Sequence, residues 1–163
     1  EFRMRVASER NDFSTARVAV LESSKFAFQL TRSMLAGFGF RQIIGFETAT
    51  EAMEKLAILS VDLFLCDPHP STDESFAALR TLRESRFGET AIAPMIIVTS
   101  NVGIDVMMAA KECQADFVIA KPFSPQVLLE RIIWSAKRPE RRDALTKPSV
   151  LISASGGNEV ELW

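Results

Sequence analysis

The sequence predicts an α/β fold: a doubly wound sheet of five parallel strands with helices on both faces. Two observations predict it. Short, wholly apolar runs alternate with stretches whose apolar residues recur at helical spacing, and this happens five times between Arg17 and Lys137. The apolar runs also lack any polar–apolar alternation. That is the pattern of strands covered on both faces, and a parallel sheet is the arrangement that covers them.

The first strand is Arg17-Val18-Ala19-Val20-Leu21, stopped by Glu22-Ser23-Ser24. A helix follows from Lys25 to Leu35, with Phe26, Leu30 and Met34 on one face. Gly37 and Gly39 end it, because glycine accepts the left-handed backbone of a helix C-terminus. Ile43, Ile44 and Phe46 make the second strand. Thr48 and Glu51 form a capping box ahead of a helix whose Ala52, Leu56 and Leu59 share a face. The third strand, Val61 to Cys66, ends at Asp67, and a loop holding Pro68, His69, Pro70, Ser71 and Asp73 follows. Phe76, Leu79 and Leu82 mark the third helix. Met95-Ile96-Ile97-Val98-Thr99 is the fourth strand, introduced by Pro94, and Ile104 to Glu112 the fourth helix. Phe117-Val118-Ile119-Ala120 is the fifth strand. The last helix is capped by Ser124 with Pro125 at its first position, and Val127, Leu128, Ile132 and Ile133 form its apolar face. Right-handed crossovers leave chiefly one topology, the flavodoxin-like (β/α)5 sheet with strand order 2-1-3-4-5.

The domain is expected to span 16–137, with 1–15 a flexible N-terminal arm and 138–163 a C-terminal tail or linker. The chain opens on Glu1, as a fragment would, with Met4 the first candidate start. Residues 138–163 are too few for an output domain, so the chain reads either as a single-domain regulator or as part of something longer. With 19 basic and 21 acidic residues, the charge is too balanced for nucleic-acid binding by the whole domain. No apolar run approaches the roughly 18 residues that span a bilayer. Cys66 and Cys113 lie in apolar or helical stretches, which fits a reducing compartment rather than a disulfide framework.

In a doubly wound sheet, sites form where the C-terminal ends of strands meet. The polar residues there are Glu22 and Ser23 after strand one, Asp67 after strand three, Thr99 and Ser100 at strand four, and Lys121 after strand five. Carboxylate, hydroxyl and ammonium gathered in one crevice suit a phosphoryl group. Asp67 can act as an oxygen nucleophile, a divalent cation on oxygen ligands would offset its repulsion of the incoming phosphate, Thr99 can donate a hydrogen bond, and Lys121 can supply positive charge. No nucleophilic triad can be built, because the single histidine, His69, lies in the Asp67 loop itself.

From Arg17 to Ala136 the chain resembles the CheY-like receiver domains of bacterial two-component response regulators. The matching pieces are Val18 to Ser23, Val61 to Asp67, Pro94 to Ser100 and Lys121-Pro122-Phe123; their order and spacing carry the likeness. The resemblance implies that Asp67 is the phosphoacceptor, Thr99 the switch hydroxyl, Lys121 the phosphate-contacting lysine and Ser100 a phosphoryl contact. It implies a Mg2+ ion held by Glu22, Asp67 and the His69 backbone carbonyl, and a cis bond before Pro122. It further implies a cytoplasmic signalling module rather than an enzyme, with at most slow self-catalysed phosphorylation and dephosphorylation. Its partners would be a histidine kinase or phosphotransfer protein and a downstream protein docking on the face of the fourth helix, fifth strand and fifth helix. That face, with Ile104, Met107 or Met108, and Val118, would also serve a homodimer.

The departures from the family pattern carry a prediction of their own. Two adjacent acids usually follow strand one; here they are Glu22 and Ser23. A charge about 4 Å from a cation is worth roughly 4 kcal/mol at an effective dielectric of 20, before desolvation, so magnesium affinity should be weak. Pro68-His69-Pro70 stiffens the acceptor loop, Ser75 stands at a usual glycine position, and Val118 stands where the family's rotating aromatic lies. These keep open a second reading: a pseudo-receiver that binds proteins independently of phosphorylation. An aspartyl phosphatase of the haloacid-dehalogenase type is disfavoured, because Asp-x-Asp-x-Thr is absent.

Overall fold

The computed structural model of the chain describes residues 5–6, 11–137, 151–153 and 159–161. Five parallel strands, β1 (Arg17–Leu21), β2 (Gln42–Phe46), β3 (Leu63–Cys66), β4 (Met95–Thr99) and β5 (Phe117–Ala120), alternate with five helices. These are α1 (Lys25–Phe38), α2 (Ala49–Leu56), α3 (Thr72–Leu82), α4 (Ile104–Glu112) and α5 (Pro125–Ala136). Their spatial order is 2-1-3-4-5, as the sequence predicts. Registers run Val18↔Ile43, Val18↔Leu63, Phe64↔Met95 and Ile96↔Phe117.

Alternate residues of each strand feed two cores. Ala19, Leu21, Phe64, Cys66, Ile97 and Val118 pack with Leu56, Phe76, Leu79 and Val106 of α2, α3 and α4. Val18, Val20, Leu63, Leu65, Ile96 and Ile119 pack with Leu35, Leu128 and Ile132 of α1 and α5. Continuous apolar strands are thus explained by burial on both faces, each large side chain contributing about 1.5–3 kcal/mol.

The helix signals act locally as expected. Thr48 Oγ1 accepts from Glu51 N, while the Glu51 carboxylate reaches Glu47 N, one residue before the cap. Ser124 Oγ accepts from Val127 N beside Pro125. α1 runs through Gly37 and stops at Gly39, whose φ of 106° is the left-handed value that favours glycine. The bond before Pro122 is cis, as is that before Pro70.

Three features have no counterpart in the sequence reading. A 3-10 segment, Ser85–Ile92, leads into β4; its threefold repeat gives no amphipathic helix signal. Arg5–Val6 pairs antiparallel with Asn11–Asp12. Beyond β5, two further strands, β6 (Leu151–Ser153) and β7 (Glu159–Glu161), extend the sheet; β6 is parallel to β5 and antiparallel to β7. The rest of the expected arm and tail, including Met4 and the basic run after Lys137, lies outside the described residues. Within 1–15, Phe13 is fully buried and stacks on Phe40 with ring centroids 4.5 Å apart.

Candidate functional site

The strand order places the ends of β1, β3, β4 and β5 side by side. Lys121, immediately after β5, reaches back across the crevice. Its ammonium donates to Asp67 Oδ2 at 2.6 Å and to Glu22 Oε2 at 3.0 Å. Glu22 is buried, Asp67 and Lys121 half-buried. These three side chains, 99 residues apart at their furthest, form one ion cluster. Burial by itself would push the Lys121 ammonium down; the hydrogen bonds and charges of Asp67 and Glu22 outweigh it and hold Lys121 above its usual range.

The remaining oxygens of the two carboxylates are held by backbone. Asp67 Oδ1 accepts from His69 N at 3.0 Å, and Glu22 Oε1 accepts from Ser24 N at 3.1 Å. The Asp67 main chain is itself anchored, its N–H donating to Leu21 O. Thr99 ends β4 and is buried; its hydroxyl oxygen accepts from Asn101 N. Lys121 N donates to Thr99 O, tying the lysine to the threonine strand. Ser100 is exposed beyond the end of β4, and no hydrogen bond of the described residues joins its side chain to the ion cluster.

Sequence reasoning missed three contacts around this cluster. Ser23 Oγ donates to the His69 carbonyl at 3.2 Å, so the hydroxyl that replaces the usual second acid engages the carbonyl expected to face a metal. Ser75 Oγ donates to Pro68 O and closes the acceptor loop onto α3. The Asn101 side chain accepts from Gly103 N, bracing the turn between Thr99 and α4. Such contacts depend on loop geometry, which has no periodic signature. The His69 side chain is exposed and takes no part. Met107 and Val118, expected on the surface of the α4–β5–α5 region, are instead buried. Met107 faces the core side of α4, and Val118 lies in a strand covered on both faces. The exposed apolar residues there are Ile104, Met108 and Trp134.

The oxygen-only donor set of Glu22, Asp67 and the His69 carbonyl fits a hard divalent cation that keeps most of its waters. Among the described residues no cluster of three His, Cys, Asp or Glu side chains is positioned to hold one. As arranged, the cluster offers a carboxylate nucleophile, a cation already at its oxygen and a hydroxyl at the adjacent strand end. No described helix is long and apolar enough to cross a membrane.

Comparison with known proteins agrees with the fold. The family model described as response regulator receiver domain matches residues 18–133. Chemotaxis protein CheY1 of Helicobacter pylori is 26% identical over 118 residues, 71% of this chain and 93% of that protein. Among solved structures, a response regulator from Thermotoga maritima matches with a TM-score of 0.66 at 25% identity, covering 77% of this chain and all of the other. A signal receiver domain from Clostridium thermocellum matches at 0.68 and 20% identity, over the same shares. The receiver domain of a sensor histidine kinase from Pseudomonas aeruginosa, solved with a magnesium ion in its active-site cleft, shares the fold at 0.67 and 16% identity, covering 77% of this chain and 100% of that one.

Proposed function

The chain belongs to the response regulator receiver domain family, and on that premise we propose that Asp67 accepts a phosphoryl group from a histidine kinase or phosphotransfer protein. The single observation that carries this reading is Lys121, whose ammonium bridges Asp67 and Glu22 across the ends of three strands. A carboxylate oxygen of Asp67 attacks phosphorus and forms the P–O bond of an acyl phosphate. The bond to the donor breaks, and the donor leaves with its electron pair. Lys121 then moves its hydrogen bond from Asp67 Oδ2 to a phosphoryl oxygen, a charge-assisted contact of the stronger kind. The Thr99 hydroxyl, and Ser100 at the mouth, turn toward the other oxygens.

Magnesium, held by Glu22, Asp67 and the His69 carbonyl, would supply charge neutralisation for the approaching phosphate. Its affinity is weak in this account, because Ser23 brings no charge and its hydroxyl engages the same carbonyl. The output is a docking face of α4 and α5, with Ile104, Met108 and Trp134 exposed, beside β5, whose outer edge pairs with β6; it is used by a downstream protein or a second copy in the cytoplasm.

One observation favours a second reading. Ser23 brings a neutral hydroxyl where the family has a second acid, and it donates to the His69 carbonyl, as suits a pseudo-receiver that binds proteins independently of phosphorylation. Incubation with acetyl phosphate and magnesium, followed by intact mass measurement, separates the two. Phosphorylation adds one phosphoryl mass to the wild type, and chelating the magnesium removes the gain. An unchanged mass at saturating donor and magnesium leaves the pseudo-receiver.

A further inference from the structure

The Asp67 carboxylate is held at both oxygens. Oδ2 takes the Lys121 ammonium, and Oδ1 takes the His69 N–H at 3.0 Å. That N–H belongs to the peptide unit between Pro68 and His69, and the opposite edge of the same unit is the Pro68 carbonyl. Ser75 Oγ donates to that carbonyl at 3.1 Å. The bond between Pro68 and His69 is trans, the cis bonds being those before Pro70 and Pro122. A trans peptide is a rigid plane with its C=O and N–H pointing opposite ways. The proline ring also locks the φ of Pro68, so the plane turns chiefly about the one bond that joins it to Pro68 Cα. The Ser75 hydrogen bond stops that turn on one edge, and Asp67 is what the other edge reaches.

We propose that Ser75 is a positioning residue for phosphoryl transfer: through the Pro68–His69 peptide it holds the Asp67 carboxylate in the orientation from which it attacks phosphorus. The proposal rests on the reading of Asp67 as the acceptor. Ser75 lies in the first turns of α3, where a serine hydroxyl commonly bonds back to the carbonyl three or four residues earlier. Here Ser71 O accepts from Ser75 N instead, and the hydroxyl, 4% exposed, reaches out of the helix to the acceptor loop. Pro68 is buried as well, and a buried carbonyl left without a donor is costly, so removing the hydroxyl favours a turned peptide. The bond into the carbonyl also polarises the peptide and strengthens its N–H as a donor to Asp67. Without Ser75 the His69 N–H leaves Oδ1, and the carboxylate is held from the Lys121 side alone. Phosphoryl transfer depends on positioning more than on covalent help from the protein, so the loss falls on the rate of transfer.

Two variants of the full chain test it, Ser75→Ala, which removes the hydroxyl, and Ser75→Thr, which keeps it. Alanine is a better helix former than serine, so α3 is expected to persist. The first readout is the amide spectrum. In Ser75→Ala the His69 amide proton should move upfield and exchange with solvent about tenfold faster, while the Asp67 N–H, which donates to Leu21 O, keeps its wild-type shift and rate. The second is the time course of labelling by acetyl phosphate with magnesium, followed by intact mass. Ser75→Ala should label about tenfold more slowly than wild type, well within what a misplaced reacting group can cost. Ser75→Thr should label within about twofold of wild type, since its donor is retained. An unmoved His69 signal in Ser75→Ala overturns the relay, whatever the labelling shows. Label on the wild type with an equal rate in Ser75→Ala, or a Ser75→Thr as slow as the alanine variant, overturns the proposal and leaves Asp67 as the acceptor. A wild type that takes no label overturns the acceptor reading itself. If Ser75→Ala does not fold, Ser75→Cys, of the same shape with a weaker donor, replaces it, and the same directions are expected and the same results count against it.

Discussion

At the scale of single residues, Lys121 sets the character of the crevice. Without it, Glu22 and Asp67 would be two neighbouring carboxylates out of full contact with water, each raising the cost of ionising the other. With it, both have a partner, and the nucleophile is already beside the cation that would steady a phosphoryl oxygen. Asp67, Thr99 and Lys121 were legible because a parallel sheet puts strand ends together and the strands were legible. The Ser23–His69, Ser75–Pro68 and Asn101–Gly103 contacts were not, because they require the course of three loops. Two predictions belong here. Ser23→Asp restores a second acid beside Glu22, so magnesium should bind at least about tenfold tighter, within the roughly 4 kcal/mol that one added charge can contribute; isothermal titration measures this, and equal or tighter binding by the wild type contradicts it. The second concerns alkali. Burial pushes the Cys113 thiol from 9.0 to about 11, and burial likewise pushes the Cys66 thiol well up. A group raised by folding contributes stability that is intact below its unfolded value and is lost as pH rises toward its folded one. Stability should therefore fall from 9.0 toward 11, by about 2–3 kcal/mol from Cys113 alone, with the Lys121 cluster weakening only above that lysine's ordinary 10.5. Urea midpoints across that range measure the decline, which Cys113→Ala should reduce; a flat profile contradicts it.

At the scale of elements, the five strands and five helices were readable from apolar runs, caps at Thr48 and Ser124, and glycine at Gly39, but the face expected for α1 was wrong: Phe26 and Leu30 are exposed, and Leu35 is the residue it buries. Strand ends shifted where a run continued past its ladder, as at Val61, which is buried but precedes β3. The anchoring of Phe13 escaped notice because one aromatic in a polar stretch has no period. Phe13→Ala removes a fully buried ring from its stack on Phe40 and should cost about 3–5 kcal/mol; a chemical-denaturation midpoint close to wild type would show that the segment adds nothing to the core. The turn from Thr99 into α4 is the element expected to respond to a phosphoryl group, since Asn101 couples the Thr99 hydroxyl to Gly103 at the head of α4. Val118 is buried and cannot swing to the surface as an aromatic would. Beryllofluoride, a phosphoryl stand-in, should therefore alter amide exchange across residues 99–112 more than in β5. No change there, with change on another face, would mean the signal leaves by a different route.

At the scale of the whole molecule, the sheet does two jobs. Its C-terminal strand ends assemble the ion cluster, and its β4–β5 side carries the helices of the proposed output face. A ligand can shift such a face only through differential interaction with two states, and moving a population from 1:99 to 99:1 takes about 5.5 kcal/mol of difference. Contacts of a phosphoryl group with Lys121 and Thr99 are the proposed source of that difference. The central claim is that Asp67 is the acceptor, and locating the label tests it most directly. Wild type and Asp67→Asn are treated with acetyl phosphate and magnesium, reduced with borohydride to convert an aspartyl phosphate to homoserine, and mapped by peptide mass spectrometry. The account predicts homoserine at position 67 in the wild type and no labelled residue in the variant, with both proteins folded. Full labelling of Asp67→Asn, or a label on Glu22, Asp73 or another side chain in the wild type, would contradict it.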